Sequence, residues 1–253
     1  MSTAEPHADA ECVRLDFPGC DVWIHATSDM EKRWRARSCA KEPWTVAWIE
    51  RYIDPGDVLF DVGANVGTFS LIAAKHRQAV VVAFEPGYAN YARLCENIQL
   101  NGCHGAVVPV PLALAEATGL TGFKYRSTHP GQSRHLLKDV PWRFGRAPRE
   151  RYEQPICAIR LDQAVAQFTL PRPNHLKIDV DGGEARVLAG AGGVLLTGAL
   201  VSASLALSSP AYLNAAKVAI VTYVPLAAGE AAITAAAVAF LWRVAPDMVG
   251  IVR

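Results

Sequence analysis

No two of the six cysteines (Cys12, Cys20, Cys39, Cys95, Cys103 and Cys157) form a C-x-x-C pair. This removes the usual signatures of a structural zinc site, a redox dithiol and a secreted disulfide framework. Reduced thiols in a cytoplasmic protein are the expectation. Charge of one sign is lacking too: the formal net charge is +1, so the balance gives no reason to expect nucleic acid or an acidic surface as a partner. Met1 to Glu11 carry acids and a proline but no apolar core segment, so neither a signal peptide nor a transit peptide is expected there. Charge of any kind is missing from Val187 to Ala216, and on to Trp242 only Lys217 and Glu230 interrupt the apolar run. Val218 to Trp242 is long enough to cross a membrane, but Pro225 and Glu230 fall in its middle. A carboxylate at that depth costs about 2.5–3.5 kcal/mol, so association with a membrane is not expected.

With about half its residues hydrophobic, the chain can bury the core of one large α/β domain. Cys12 to Ile24 carries apolar residues spaced like one or two short strands around Pro18-Gly19, and the alternating charges of Asp29 to Arg37 predict a surface helix with Trp34. A helix opens at Glu42-Pro43, with Val46, Ile49 and Ile53 on one face, and Asp54-Pro55-Gly56-Asp57 ends it. Val58 to Val62 is almost wholly apolar, as a central parallel strand covered on both faces should be. The turn Gly63-Ala64-Asn65-Val66-Gly67 then leads into a helix from Thr68 to about Arg77. A second strand, Ala79 to Phe84, ends in Glu85-Pro86-Gly87 and is followed by a helix stopped at Asn101-Gly102. The β-α-β-α order predicts a right-handed crossover and a parallel sheet. A third strand is expected at Ala106 to Leu112, a strand-helix pair at Ile156 to Phe168, a strand in His175 to Glu184 whose carboxyl end is crowded with acids and which feeds a helix from about Ala185 to Leu188, and a fifth strand at Leu200 to Leu207. Residues 118–154, rich in glycine, proline and arginine, read as an excursion of hairpins and loops.

Ligands of an open parallel sheet bind beyond the carboxyl ends of its strands, and three strands deliver polar groups there. The first brings Asp61 and the glycine turn, whose backbone and following helix are expected to offer N–H groups to a ligand. Its spacing is G-x-x-x-G rather than the G-x-G-x-x-G of a dinucleotide site, so a pyrophosphate is the less natural guest. The second brings Glu85, roughly two dozen residues after Asp61, where an acid accepts both hydroxyls of a ribose; the structural alternative is an N-cap for the helix after Pro86. The third brings Asp179, Asp181 and Glu184. These suit a substrate hydroxyl, a cationic ligand or a divalent ion, although Asp181 and Glu184 equally suit the start of a helix.

Asp61-Val-Gly-Ala-Asn-Val-Gly-Thr-Phe, Ala83-Phe-Glu-Pro, Pro111-Leu-Ala-Leu-Ala, Ile159-Arg-Leu-Asp and Leu176-Lys-Ile-Asp-Val-Asp-Gly-Gly-Glu-Ala-Arg-Val-Leu resemble, in order, the motifs of the FkbM family of S-adenosylmethionine-dependent methyltransferases. The resemblance covers about Glu42 to Leu196. It implies a class I methyltransferase (Rossmann-like) α/β sheet, mostly parallel, with helices on both faces and an N-terminal extension. Residues 1–41 would be that extension and 42–253 the methyltransferase domain, with 118–154 a loop-rich insertion and 197–253 a divergent alanine-rich part.

The resemblance also implies S-adenosyl-L-methionine as cofactor and a hydroxyl of a small molecule, a sugar or a polyketide-like product, as acceptor. Asp61, Gly63, Asn65 and Gly67 would line its methionine part, Glu85 would bind the ribose, and Ala113 and Leu114 would lie near the adenine. Asp179 would sit near the sulfonium and acceptor, with Asp179 or Glu184 as the base if one is needed. No metal ligand set is implied, and the oligomeric state is not legible. The competing expectations are a catalytically inactive nucleoside-binding or scaffold protein on the same fold, and a nicotinamide-dependent oxidoreductase.

Overall fold

The fold comes from a computed structural model that describes residues 11–28, 31–133, 135–137 and 152–191. The leader up to residue 10, the expected strand at Leu200 to Leu207 and the rest of 197–253 lie outside the described residues. One compact unit runs from Met1 to Val194.

Four parallel strands form the central sheet: β3 (Val58–Val62), β4 (Val80–Phe84), β5 (Val107–Val110) and β10 (His175–Ile178), in the order β10-β3-β4-β5. Their near-continuous apolar sequence follows from burial on both faces. Leu59, Val81, Ala83 and Val107 pack under α3 (Thr68–Arg77), α4 (Tyr88–Leu100) and α2 (Pro43–Tyr52). Phe60, Val62, Val82 and Phe84 pack against α5 (Leu161–Gln167) and α6 (Glu184–Gly190) on the other side. Adjacent residues thus enter different cores, as the period of two requires. Val62 pairs with both Phe84 and Ile178, so the three strands end at one level and present a common edge.

The N-terminal residues form β1 (Cys12–Arg14) and β2 (Trp23–His25), an antiparallel pair as expected from the Pro18-Gly19 turn. This pair docks on α4 through asparagine side chains. Asn97 Oδ1 accepts from the His25 N–H at 2.8 Å while its Nδ2 donates to Val66 O at 2.8 Å. Asn101 Oδ1 accepts from the Trp23 N–H and its Nδ2 donates to Trp23 O. The surface helix expected at Asp29 to Arg37 is a single turn over Glu31–Arg35, and its first acid is fully buried. Glu31 Oε2 accepts from the N–H and hydroxyl groups of both Thr27 and Ser28, and Arg93 Nε lies 3.3 Å from Oε1. A charge run therefore conceals an internal capping group. α1 (Ser38–Lys41) follows, and Pro43 occupies the first turn of α2, as its fixed φ allows.

The excursion after β5 builds a second sheet from β6 (Ala113–Leu114), β7 (Gly119–Tyr125), β8 (Leu136–Leu137) and β9 (Tyr152–Ile159), ordered β6-β9-β7-β8. β9, the strand expected before α5, pairs antiparallel with β7 and stands outside the parallel sheet.

Replacing Asn97 by Leu keeps the side-chain volume but leaves the His25 N–H and Val66 C=O without partners. Each buried orphan costs about 1–3 kcal/mol, so urea denaturation should show a loss of about 2–4 kcal/mol. A change below 0.5 kcal/mol, about what an ordinary surface site gives, would show that the docking does not depend on this amide.

Candidate functional site: a carboxylate-lined cavity at the strand ends

The turn after β3 is held in a shape that few residues can adopt. Gly63, Asn65 and Gly67 have φ of 80°, 52° and 88°, in the left-handed region that favours glycine and tolerates asparagine. A Cβ on Gly63 would run into the backbone carbonyl of Asp179, so the tips of β3 and β10 approach at a distance that only glycine permits. A Cβ on Gly67 would stand 2.5 Å from Leu94 Cδ1, so this glycine lets α4 pack against the start of α3.

All five N–H groups of the turn are consumed internally. Gly63 and Ala64 donate to Phe84 O, Asn65 to Glu85 Oε2, Val66 to Asn65 Oδ1 and Gly67 to Ala64 O. The sequence reading of the turn as an open cradle of donors is thereby corrected. It is instead a rigid support for the acid beside it. Glu85, at the tip of β4, is almost fully buried; Oε2 accepts from Asn65 N–H and Oε1 from Gly87 N–H, both at 2.8 Å. Burial pushes its pKa up to about 7, against the pull of those two N–H groups and of Arg35.

Beyond the strand tips lies a cavity of about 420 Å³, within the usual range for small-molecule sites. Its wall includes Gly63, Asn65, Glu85, Ala113, Leu114, Asp179 and Asp181, so seven of the residues singled out from sequence meet around one space. Ala113 and Leu114 share an apolar end with Phe123 and Leu137 from the second sheet. The Asp179 side chain is exposed to the cavity and has no hydrogen-bond partner among the described residues.

Asp61, Gly67 and Glu184 lie behind this wall. Asp61 is on the same strand parity as Leu59 and points under α3, where Oδ2 accepts from Ser70 Oγ at 2.6 Å and Oδ1 from Lys177 Nζ at 3.0 Å. Glu184 Oε1 accepts from the N–H groups of Gly182 and Val180, bracing the turn before α6. That is the helix-start role that competed with catalysis in the sequence reading.

Among the cavity residues that sequence reasoning missed are Arg35, Lys177, Gln132 and His135. Lys177 is paired with Asp61 in the β10–β3 register, which puts both side chains on one face of the sheet. Burial works against its charge, but Asp61 and Asp179 outweigh burial and raise its pKa, so Lys177 stays an ammonium and is no base. His135 Nδ1 accepts from the Arg126 N–H, which leaves the proton on Nε2. Burial, with Arg35 and Arg126 nearby, lowers its pKa to about 4. Gln132 O accepts from both Asn65 Nδ2 and Asn90 Nδ2, tying the excursion to the glycine turn and α4. Among the described residues no group of three or more His, Cys, Asp and Glu could hold a metal ion.

A parallel sheet with an acid at the second strand tip, a glycine-bearing turn at the first and an open carboxylate at the third is an α/β arrangement able to hold a nucleoside. The family model described as "Methyltransferase FkbM domain" matches residues 61–199, more than half of the chain. The chain belongs to the FkbM methyltransferase family. It is 30% identical over 161 residues to hexuronic acid methyltransferase AglP of Haloferax volcanii, covering 64% of this chain and 61% of that one. It is 32% identical over 160 residues to 31-O-demethyl-FK506 methyltransferase FkbM of Streptomyces tacrolimicus, covering 54% and 60%. The chain thus spans about three-fifths of the length of these relatives. A solved M. jannaschii TYW2 in complex with AdoMet matches at 18% identity and a TM-score of 0.28 over 45% of this chain and 54% of that one, too low a likeness to argue from. A second family model, "Cobalt uptake substrate-specific transmembrane region", matches residues 165–248. Its first part coincides with α5, β10 and α6, and no helix of the described residues is long and apolar enough to cross a membrane.

The buried pair between Lys177 and Asp61 yields a stability test. Lys177→Met leaves the Asp61 carboxylate buried without its counter-charge, which should cost about 3–5 kcal/mol in denaturant unfolding. The double variant Asp61→Asn, Lys177→Met should recover a large part of that loss. Equal stability of the single and double variants would rule out a charge imbalance as the cause.

Proposed function

We propose that this chain binds S-adenosylmethionine in the carboxylate-lined cavity and transfers its methyl group to a hydroxyl oxygen of a small molecule. The observation that carries the reading is Glu85: a buried carboxylate fixed by two backbone N–H groups at the second strand tip, with lone pairs left to accept the two hydroxyls of a ribose. Ala113 and Leu114 supply the apolar end suited to a planar base, and the negative wall suits a cationic sulfonium better than a pyrophosphate.

In the transfer the S–CH₃ bond breaks as a C–O bond forms, S-adenosylhomocysteine leaves, and the hydroxyl proton departs. The chain's task is chiefly to align the oxygen with the methyl carbon. Lys177 is held charged and Glu184 is engaged with backbone, so neither serves as a base; the open carboxylate of the wall, Asp179, faces the donor's cationic groups, and the hydroxyl proton passes to solvent. The two relatives, one named for a hexuronic acid and one for an O-demethyl substrate, support a sugar or polyketide-like acceptor. A cytoplasmic site of action, with no nucleic-acid partner, completes the reading.

Calorimetry on the full chain should give micromolar binding of S-adenosylhomocysteine, and Glu85→Ala should weaken it about 10- to 100-fold, the worth of a charged hydrogen-bonding group. No heat with either the donor or its product would sink the reading. Mass spectrometry of hydroxylated metabolites incubated with methyl-labelled donor should show the gain of one labelled methyl.

The pH dependence follows from the raised pKa of Glu85. Its folded value, about 7, lies above the ordinary carboxylate value, so the ligand-free protein gains stability from protonated Glu85 at acid pH. That gain is lost as pH rises through about 7. A ribose needs the ionised, doubly accepting form, so S-adenosylhomocysteine affinity should rise between pH 6 and 8. Glu85→Gln should abolish that slope, and a wild-type affinity that is flat over the interval would contradict the assignment.

A further inference from the structure

Among the described residues the cavity wall carries three cations, Arg35, Lys41 and Lys177, and the structure treats them differently. Lys177 is paired with Asp61 at 3.0 Å. Lys41 lies 3.8 Å from Glu42 and is half exposed. Arg35 has no such partner: its Nε donates to Gly131 O at 2.7 Å, and Nη1 and Nη2 have neither a hydrogen bond nor an ion pair among the described residues. A guanidinium anchored at Nε and open along its outer edge is a preformed fork for a carboxylate.

The anchor is itself fixed. Gly131 has φ of 78°, and a Cβ there would stand 3.3 Å from Arg35 Cγ and 3.0 Å from Glu31 Cγ, so the strap lies directly against the arginine stem. The Gly131 N–H donates to Asn90 Oδ1 at 2.9 Å, and the next carbonyl, Gln132 O, takes the amides of Asn65 and Asn90. Arg35 is therefore held by the same hydrogen bonds that hold the glycine turn.

The second open group is the Asp179 carboxylate, which heads the charges acting on Arg35 yet lies more than 4 Å from it, beyond ion-pair distance. An unpaired guanidinium and an unpaired carboxylate that face one cavity without meeting are complementary to a zwitterion. An α-amino acid group has that form, with a carboxylate for the first and an ammonium for the second.

We propose that Arg35, from the N-terminal turn Glu31–Arg35, binds the α-carboxylate of the methyl donor, with Asp179 opposite its ammonium. The assignment rests on the donor reading above and adds to it a residue that lies outside the family match at 61–199.

Calorimetry on the full chain would compare S-adenosylhomocysteine with its decarboxylated analogue, which lacks only the carboxylate. Wild type should bind the former at least about tenfold more tightly, the least expected of a charge-assisted hydrogen bond. Arg35→Gln should weaken S-adenosylhomocysteine by about 10- to 100-fold while leaving the analogue within about twofold, and that unchanged affinity also certifies the variant's fold. Wild type that ignores the carboxylate, or a variant that binds both ligands as wild type does, overturns the assignment. Sodium D-glucuronate binding to the wild-type complex with S-adenosylhomocysteine, lost in Arg35→Gln while S-adenosylhomocysteine affinity is kept, also overturns it and moves the carboxylate to the acceptor. Failure of wild type to bind either nucleoside instead removes the donor reading itself. Should Arg35→Gln not fold, the wild-type comparison alone decides.

Discussion

At the centre of the sheet an aspartate and a lysine share a place where neither charge would survive alone. Asp61 and Lys177 sit side by side in the register of β3 and β10, and Ser70 of α3 closes the remaining acceptor. Desolvating each ion costs several kcal/mol, so such a pair adds little stability in net terms. What it specifies is position, because only one register of β10 against β3 brings the two together. That register sets Asp179 against Gly63 so closely that a methyl group would collide with the Asp179 carbonyl. The distance between the first and third walls of the cavity is thus fixed from inside the sheet.

The other walls are fixed by side-chain amides. An asparagine donates and accepts at once, so it can join backbone segments that no sheet pairs. Asn97 joins β2 to the glycine turn, and Asn65 and Asn90 join that turn and α4 to Gln132. Through them the N-terminal residues and the second sheet become parts of the site. Arg35 and His135 face the same space as Glu85 for this reason, although some fifty residues or more separate each of them from it in the chain.

The sheet was legible because its signal is local. β3 and β4 are apolar without alternation, which only a strand covered on both faces requires, and the acid following β4 stands where a ribose acid should. The roles of Asp61, Lys177 and Arg35 were not read from the same pattern. Strand parity, applied to the polar residues as well as the apolar ones, puts Asp61 on the face of Leu59, under α3; that Lys177 stands beside it follows only from the β10–β3 register. Arg35 had no such signal. Charged residues in an alternating run are usually a solvated face, and what turned this one inward is a set of long-range hydrogen bonds through Gly131 and Asn90.

The hydrogen bonds of the glycine turn also bear on the choice between the two nucleotide-like guests that its sequence suggested. A pyrophosphate site works by offering unpaired backbone N–H groups to the phosphate oxygens. In this turn the N–H groups of Gly63, Ala64, Asn65, Val66 and Gly67 are all spent on acceptors within the protein, one of them Glu85 itself. A diphosphate placed there would meet committed donors and, just beyond, the carboxylates of Glu85 and Asp179. In the proposed mode a sulfonium with an amino-acid tail would meet the opposite situation, with negative groups facing its cation and the Arg35 guanidinium, open among the described residues, left for its carboxylate. The G-x-x-x-G spacing hinted at this difference, and the way the donors are used explains it: the glycines shape a support for an acid.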